Sequence, residues 1–180
     1  MSQVIIAGDT SGTITLQAPA VSGSTTLTLP AATGTVMVSG NMPAFSVTRI
    51  TSGQSFSSAT WTAIAYNSKN WDTNTNFDTS TYRFTPTVAG YYQINVNVGL
   101  SFTATSTVTG VGILKNGNLY VINVPYAIYN TGSILSVSGI VYLNGSTDYI
   151  TGGVYSNATS PSASAVSWET QMSGSLIRSA

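Results

Sequence analysis

The sequence contains neither cysteine nor histidine, and it carries very few charged residues. The absence of both residue types excludes disulfides, thiol nucleophiles, Ser-His-Asp triads and the common zinc or iron sites other than those built from carboxylates. The only two carboxylates close together in the sequence are Asp72 and Asp78. One such pair is a poor basis for acid–base catalysis, which needs groups whose pKa values are tuned to the task. We therefore expect no enzymatic activity and no cofactor.

The shortage of charge also limits the classes of partner. Five basic and five acidic residues make up 6% of the 180 residues, whereas soluble domains average about 25%. The basic residues are scattered from Arg49 to Arg178, so they form no cluster that would neutralise phosphates or an anionic membrane surface. The chain has no apolar run of about 20 residues and no basic segment at its start. We expect no nucleic-acid partner, no membrane partner and no signal peptide.

Hydroxyl groups take the place of charge. Serine and threonine together account for 53 of the 180 residues, and 42% of the residues are hydrophobic. That hydrophobic content argues against intrinsic disorder. A surface made soluble by hydroxyls is typical of all-β proteins that are built into assemblies.

The first 42 residues differ in composition from the rest. The first aromatic residue is Phe45 and the first basic residue is Arg49, and before Met42 the only charge is Asp9. This change predicts an N-terminal arm at residues 1–42 and a separate domain at residues 43–180.

A motif recurs within this arm at an offset of thirteen residues, as Thr13-Ile14-Thr15-Leu16 and Thr26-Leu27-Thr28-Leu29. Alternation of threonine with an aliphatic residue predicts a half-buried strand at each copy. So short a segment has too few apolar side chains to offset the cost of ordering it, so another surface must cover it. We predict that the attachment residues are Ile5, Ile6, Ile14, Leu16, Leu27, Leu29, Val36 and Val38.

The second domain has the pattern of short strands and tight turns. Apolar residues alternate through residues 91–102, which predicts a strand with one buried face. Asn116-Gly117 between residues 111–115 and 119–124 predicts a hairpin. Further strands are predicted at residues 60–67, 148–155, 165–170 and 174–178. Eight to ten such strands indicate a β-sandwich.

The stretch at residues 134–143 is apolar on both faces. A strand exposed to water on one side would not need this, so either a loop covers its second face or a neighbouring subunit does. The second interpretation predicts a subunit interface made by Leu135, Val137, Val141, Leu143 and Tyr142.

Six short motifs follow one another through residues 44–178. They are Ala44-Phe45-Ser46-Val47, Asn76-Phe77-Asp78, Phe84-Thr85-Pro86 with Val88-Ala89-Gly90-Tyr91-Tyr92, Leu114-Lys115-Asn116-Gly117, Ser138-Gly139-Ile140-Val141-Tyr142-Leu143 and Ser173-Gly174-Ser175-Leu176-Ile177. On these motifs the domain resembles the globular head of complement component one, subcomponent q, and of tumour necrosis factor. The resemblance implies an all-β fold, a ten-stranded jelly-roll β-sandwich that assembles as a homotrimer.

The arm carries a second resemblance. Residues 7–19, with Thr26-Leu27-Thr28-Leu29-Pro30 and Thr33-Gly34-Thr35-Val36, are similar to a segment at the start of many tailed-bacteriophage virion proteins. This implies a virion component, assembled in the bacterial host cytoplasm, whose arm binds other virion proteins.

One loop is a candidate ligand site, consisting of Trp71, Asp72, Asn74, Asn76 and Asp78. Its oxygen-bearing side chains are spaced two residues apart, which suits calcium. An Asx-rich turn that satisfies its own backbone explains the same residues and is the favoured interpretation. Trp61, Trp71 and Trp168 are more simply core or interface residues than platforms for a host glycan.

Two functions fit these patterns. The first is a capsid decoration or cement protein, whose arm binds shell subunits while the jelly-roll head projects. The alternative is a tail-fibre or receptor-binding tip, in which the loops at residues 71–78 and 157–164 contact a host surface glycan.

Overall fold

The computed structural model describes residues 3–21, 23–28, 31, 33–34, 36–102, 106–124, 126–128 and 133–180. The chain forms two compact units, residues 1–34 and residues 35–180. The division thus lies upstream of the boundary predicted after Met42. One reason is Met37, which packs against the core of the second unit.

The first unit contains a two-stranded antiparallel hairpin of β1 (Gln3–Ala7) and β2 (Thr13–Gln17). Gly12, with φ +81°, allows the tight turn between them. The strand predicted at the first copy of the repeat is therefore confirmed. The second copy was wrongly predicted, because Thr26, Leu27 and Thr28 form no strand and have no strand to pair with among the described residues. Leu29 lies outside the described residues.

The second unit is an all-β sandwich, which confirms the predicted fold class. After the short 3₁₀ turn Ser39–Asn41, its strands are β3 (Ala44–Thr48), β4 (Gln54–Ser55), β5 (Thr62–Ala63), β6 (Ser68–Asp72), β7 (Phe77–Asp78), β8 (Arg83–Phe84), β9 (Gly90–Ser101), β10 (Ser106–Lys115), β11 (Asn118–Asn123), β12 (Tyr126–Ile128), β13 (Ser133–Leu143), β14 (Ile150–Ser156), β15 (Ser162–Ala163) and β16 (Gln171–Ser179). In the described part of the chain, no helix is both long and apolar enough to cross a membrane.

The strands form two antiparallel sheets. The first has the order β11-β10-β14-β8-β7, with β12 beside β10 and β5 beside β14. The second has the order β4-β15-β9-β16-β3-β6, with β13 along the other side of β9. We call the solvent-facing side of this second sheet the outer face.

The core lies between the two sheets. Along β9, Tyr92, Ile94, Val96 and Val98 are fully buried, as the alternation of the sequence predicts. Phe84 reaches across from the first sheet and stacks on Phe45 with a centroid distance of 4.1 Å.

The predicted hairpin is confirmed. Strands β10 and β11 pair around Asn116 and Gly117, which adopt φ values of 52° and 81°. Two consecutive left-handed residues match the right-handed twist of the flanking strands, which is why this residue pair favours the turn.

Two predicted strands are mostly irregular. In residues 60–67 only Thr62–Ala63 pairs with a strand. Side chains bind the backbone there instead, since Gln54 contacts Ala63 and Ala65 and the Arg49 guanidinium donates to the Ala65 carbonyl at 2.7 Å. Residues 165–170 form a turn closed by the Thr170 amide and the Val166 carbonyl.

The predicted subunit interface on β13 needs correction. Leu135, Val137, Val141 and Leu143 are buried in the core of a single chain, so no second subunit is needed to cover them. Tyr142, by contrast, is exposed on the outer face. The other exposed apolar residues of this strand are Ile134 and Ile140, which the prediction left out.

Candidate functional site

The N-terminal hairpin exposes most of its aliphatic side chains. Ile5, Ile6, Ile14 and Leu16, four of the predicted attachment residues, are each more than half exposed, and so is Val4. A two-stranded hairpin alone in water is marginally stable at best. The hairpin is therefore a candidate binding element.

The remaining predicted attachment residues are also exposed where the structure describes them. Leu27 is 83% exposed, and Val36 and Val38 are exposed as well. Val36 and Val38 belong to the second unit rather than to the hairpin unit.

The outer face carries a second apolar surface, which we call the tyrosine patch. It consists of Tyr91, Ile140, Tyr142 and Ile177, which are all exposed. The rings of Tyr91 and Tyr142 lie 5.4 Å apart, on directly paired positions of β9 and β13. Tyr91, Ile140 and Ile177 line a depression of about 420 Å³ with the C-terminal residues 178–180. The sequence does not indicate Tyr91 as an interface residue, because it alternates with the core residues of β9 and shares its face with Gln93, Asn95 and Asn97.

The middle of the outer face is polar. Asn95, Asn97, Ser136 and Ser138 line a shallow hollow of about 280 Å³ between β9 and β13. The face therefore combines an apolar end with a stripe of amides and hydroxyls.

Asp72 organises the loop that was predicted to bind a ligand. Its carboxylate accepts hydrogen bonds from the Asn76 amide at 3.0 Å and the Phe77 amide at 2.9 Å, and it pairs with Lys69 at 3.2 Å. The Asp72 side chain is only 3% exposed. Asn76 is buried as well. These two side chains are largely buried and hold the turn together. Their role as ligand contacts stays a prediction.

Asp78 and Asn74 also serve the turns. The Asp78 carboxylate accepts bonds from the amide and hydroxyl of Ser80 and the hydroxyl of Thr81, which lower its pKa to about 2. Asn74 donates to the Gly40 carbonyl at 2.9 Å. The described residues contain no cluster of three acidic side chains. Calcium binding at this loop stays a prediction, and it would require the Asp72 and Asp78 carboxylates to exchange their present partners.

The two loops predicted to share a glycan lie toward opposite ends of the head. Asp72 pairs with Phe45 on β3, and Phe45 pairs with Gly174 on β16. Gly174 in turn pairs with Ile94 on β9, so Asp72 lies at the level of Ile94. Ser162 pairs with Ser101, which is further along the same strand β9. Seven residues of strand separate these levels by about 23 Å. One small ligand cannot contact both loops.

The three tryptophans have different environments. Trp61 packs against Tyr155 with a centroid distance of 5.6 Å and covers the glycines of the first sheet. Trp71 is half exposed on β6, which is an edge strand. Trp168 is 75% exposed, at the end of the head opposite Ala44, where β3 begins. Trp168 is thus the aromatic side chain most available to a ligand among the described residues.

Two charged groups at the other end of the head, Lys115 and Asp148, pair with each other. Lys115 lies 2.9 Å from Asp148 and donates to the Tyr142 carbonyl. The Asn116 amide also donates to Asp148, and these contacts lower the pKa of the Asp148 carboxyl. This cluster ties two turns together, and the charges of Lys115 and Asp148 compensate each other.

The comparisons with known proteins concern the head. No protein-family model and no curated protein matches the chain. It is similar to the globular domain of the zebrafish complement 1qA protein, with a TM-score of 0.54 and 18% identity over 77% of this chain and 98% of that one. The crystal structure of murine APRIL at pH 5.0 gives a TM-score of 0.58 and 12% identity over 76% and 99%. Eiger TNF from S. frugiperda gives 0.54 and 11% identity over 78% and 95%. At these identities the likeness establishes the fold alone: the head is a jelly roll of the kind seen in complement and tumour necrosis factor domains.

Proposed function

We propose that the protein is a structural component of a bacteriophage virion, a capsid decoration or cement homotrimer attached through its N-terminal arm. The observation that carries the proposal is the hairpin β1–β2, which exposes aliphatic side chains on both faces and pairs with no third strand among the described residues. Such a surface needs a covering partner, since the hairpin has no core of its own. The resemblance of the arm to the start of phage virion proteins supplies the context.

The tyrosine patch supports the homotrimer. Monomeric soluble proteins rarely expose a contiguous group of large apolar side chains, and such patches mark interfaces. Tyr91, Ile140, Tyr142 and Ile177 lie on one sheet face. Two cations lie beside them: Arg178, and Lys115, which is over the Tyr142 ring and paired with Asp148. A symmetric trimer buries three copies of this patch at once.

Copy number in purified particles tests the decoration role. Gel densitometry should give a number of copies per particle that is comparable with the number of positions in the capsid shell. A copy number matching a single tail would contradict the shell location and favour the alternative.

That alternative, a tail-fibre or receptor-binding tip that recognises a host glycan, is favoured by one observation, the 75% exposure of Trp168. Sugar rings stack on exposed aromatic faces, and this one lies away from the start of the head. In a glycan-array experiment, this role requires binding that Trp168→Ala abolishes and Trp71→Ala leaves intact. Absence of binding by the wild-type trimer would refute it.

A further inference from the structure

The two faces of the N-terminal hairpin differ in composition. Val4 pairs with Leu16 and Ile6 pairs with Ile14, so four aliphatic side chains lie on one face in two adjacent layers. The opposite face has Ile5 beside Thr15. We call the first of these the aliphatic face; each of its side chains is more than half exposed.

The aliphatic face of one hairpin is too small to hold a separate protein by itself. Stable complexes between free proteins bury about 800 Å² on each partner and involve about 20 to 30 residues a side. Four side chains provide far less than this. Segments of one oligomer, however, meet at an effective concentration of about a millimolar, at which a small apolar contact is sufficient.

The charge of the arm also suits contact between identical copies. Near a symmetry axis every charged group faces its own copies, so charges there repel each other. Residues 1–34 carry a single charged side chain, Asp9, which lies in the turn between the strands. Residues 18–34 join the hairpin to the head and span at most about 60 Å when fully extended, which keeps the hairpins of one oligomer within reach of each other.

We infer that the three hairpins of one trimer pack against each other through the aliphatic face. Each layer then encloses six aliphatic side chains, the first from three Val4–Leu16 pairs and the second from three Ile6–Ile14 pairs. The inference rests on the homotrimer proposed above. In this packing Ile6, Ile14 and Leu16 contact sister chains rather than the virion. Ile5 and the outer edges of the two strands stay exposed, and they are the parts of the hairpin that contact the virion.

Single cysteines test this packing, because the natural chain contains none. Ile14→Cys places a thiol on the aliphatic face, and Ile5→Cys is the matched control on the opposite face of the same hairpin. In the full-length trimer without particles, we expect the thiol of Ile14→Cys to react with a soluble maleimide at least about tenfold more slowly than that of Ile5→Cys. Under mild oxidation it should form disulfides between chains at a rate that does not depend on dilution.

Equally fast alkylation of both thiols in a trimer would overturn the inference and leave the homotrimer intact. Protection of Ile14→Cys that arises only when particles are added would also overturn it, since a foreign surface would then cover the face. Sedimentation of the full-length protein as a monomer would refute the homotrimer and this packing with it.

Discussion

The hydroxyl of Tyr92 donates a hydrogen bond of 2.7 Å to the carbonyl oxygen of Val88. A second core tyrosine, Tyr66, is equally buried, but its hydroxyl has no partner among the described residues. Burial raises the pKa of both hydroxyls. The same chemical group therefore contributes differently at the two positions.

We predict opposite effects for the two phenylalanine variants. Tyr92→Phe removes a formed hydrogen bond and should lower the free energy of unfolding by about 1 kcal/mol. Tyr66→Phe removes an unpaired buried hydroxyl, so the free energy of unfolding should stay unchanged or rise by about 1 kcal/mol. Urea denaturation of the full chain measures both. An equal loss in the two variants would contradict this assignment.

The turn at residues 72–77 gives the second prediction. Asp72→Ala leaves the amides of Asn76 and Phe77 without their acceptor, which should cost about 3 kcal/mol of unfolding free energy. Asp78→Ala, in the exposed part of the same loop, should cost much less. A comparable cost for both would contradict the structural role of Asp72, and so would dependence of the stability on added calcium chloride.

The third prediction concerns acid. The folded-state pKa of Asp78 is about 2, below its ordinary value of 3.8, because Ser80 and Thr81 donate hydrogen bonds to its charged form. A lowered pKa contributes stability above the unfolded value, and this contribution is lost as the pH falls through the folded value. The urea midpoint should therefore decrease between about pH 4 and pH 2.

Asp148 has its pKa lowered in the same direction by Asn116 and Lys115. The double variant Asp78→Asn, Asp148→Asn should flatten this part of the pH profile. An unchanged slope in the double variant would show that other groups cause the acid sensitivity.

The fourth prediction tests the tyrosine patch. Tyr142→Asp introduces a charge at the proposed three-fold interface and should convert the trimer to a monomer, because three buried carboxylates would repel each other. Tyr120→Asp is the control, since Tyr120 is similarly exposed but lies on β11 of the first sheet. Sedimentation velocity distinguishes the two states. A trimeric Tyr142→Asp protein would place the subunit interface elsewhere.

Local rules predicted the regular parts of the head. The alternation around Tyr92 and the turn at Asn116-Gly117 depend on neighbouring residues, so the sequence contained the whole signal. The orientation of β13 could not be predicted in this way. Both of its faces are apolar, and only the pairing of Val141 with Tyr92 on β9 decides which one enters the core.

The candidate site was predictable to a smaller extent. The exposure of Ile14 and Leu16 follows from an arm too short to have a core. The placement of Asp72 and Ser162 toward opposite ends of the sandwich depends on the order of strands in the sheet, and no local pattern encodes it. The exposure of Trp168 follows from a turn where alternation had predicted a strand.

The proposed attachment through the arm is tested most directly by co-sedimentation with purified bacteriophage particles. The full-length protein and a variant lacking residues 1–34 would be compared at equal trimer concentration. The full-length trimer should sediment with the particles, and the shortened trimer should remain in the supernatant. Equal sedimentation of both proteins would contradict attachment through the arm.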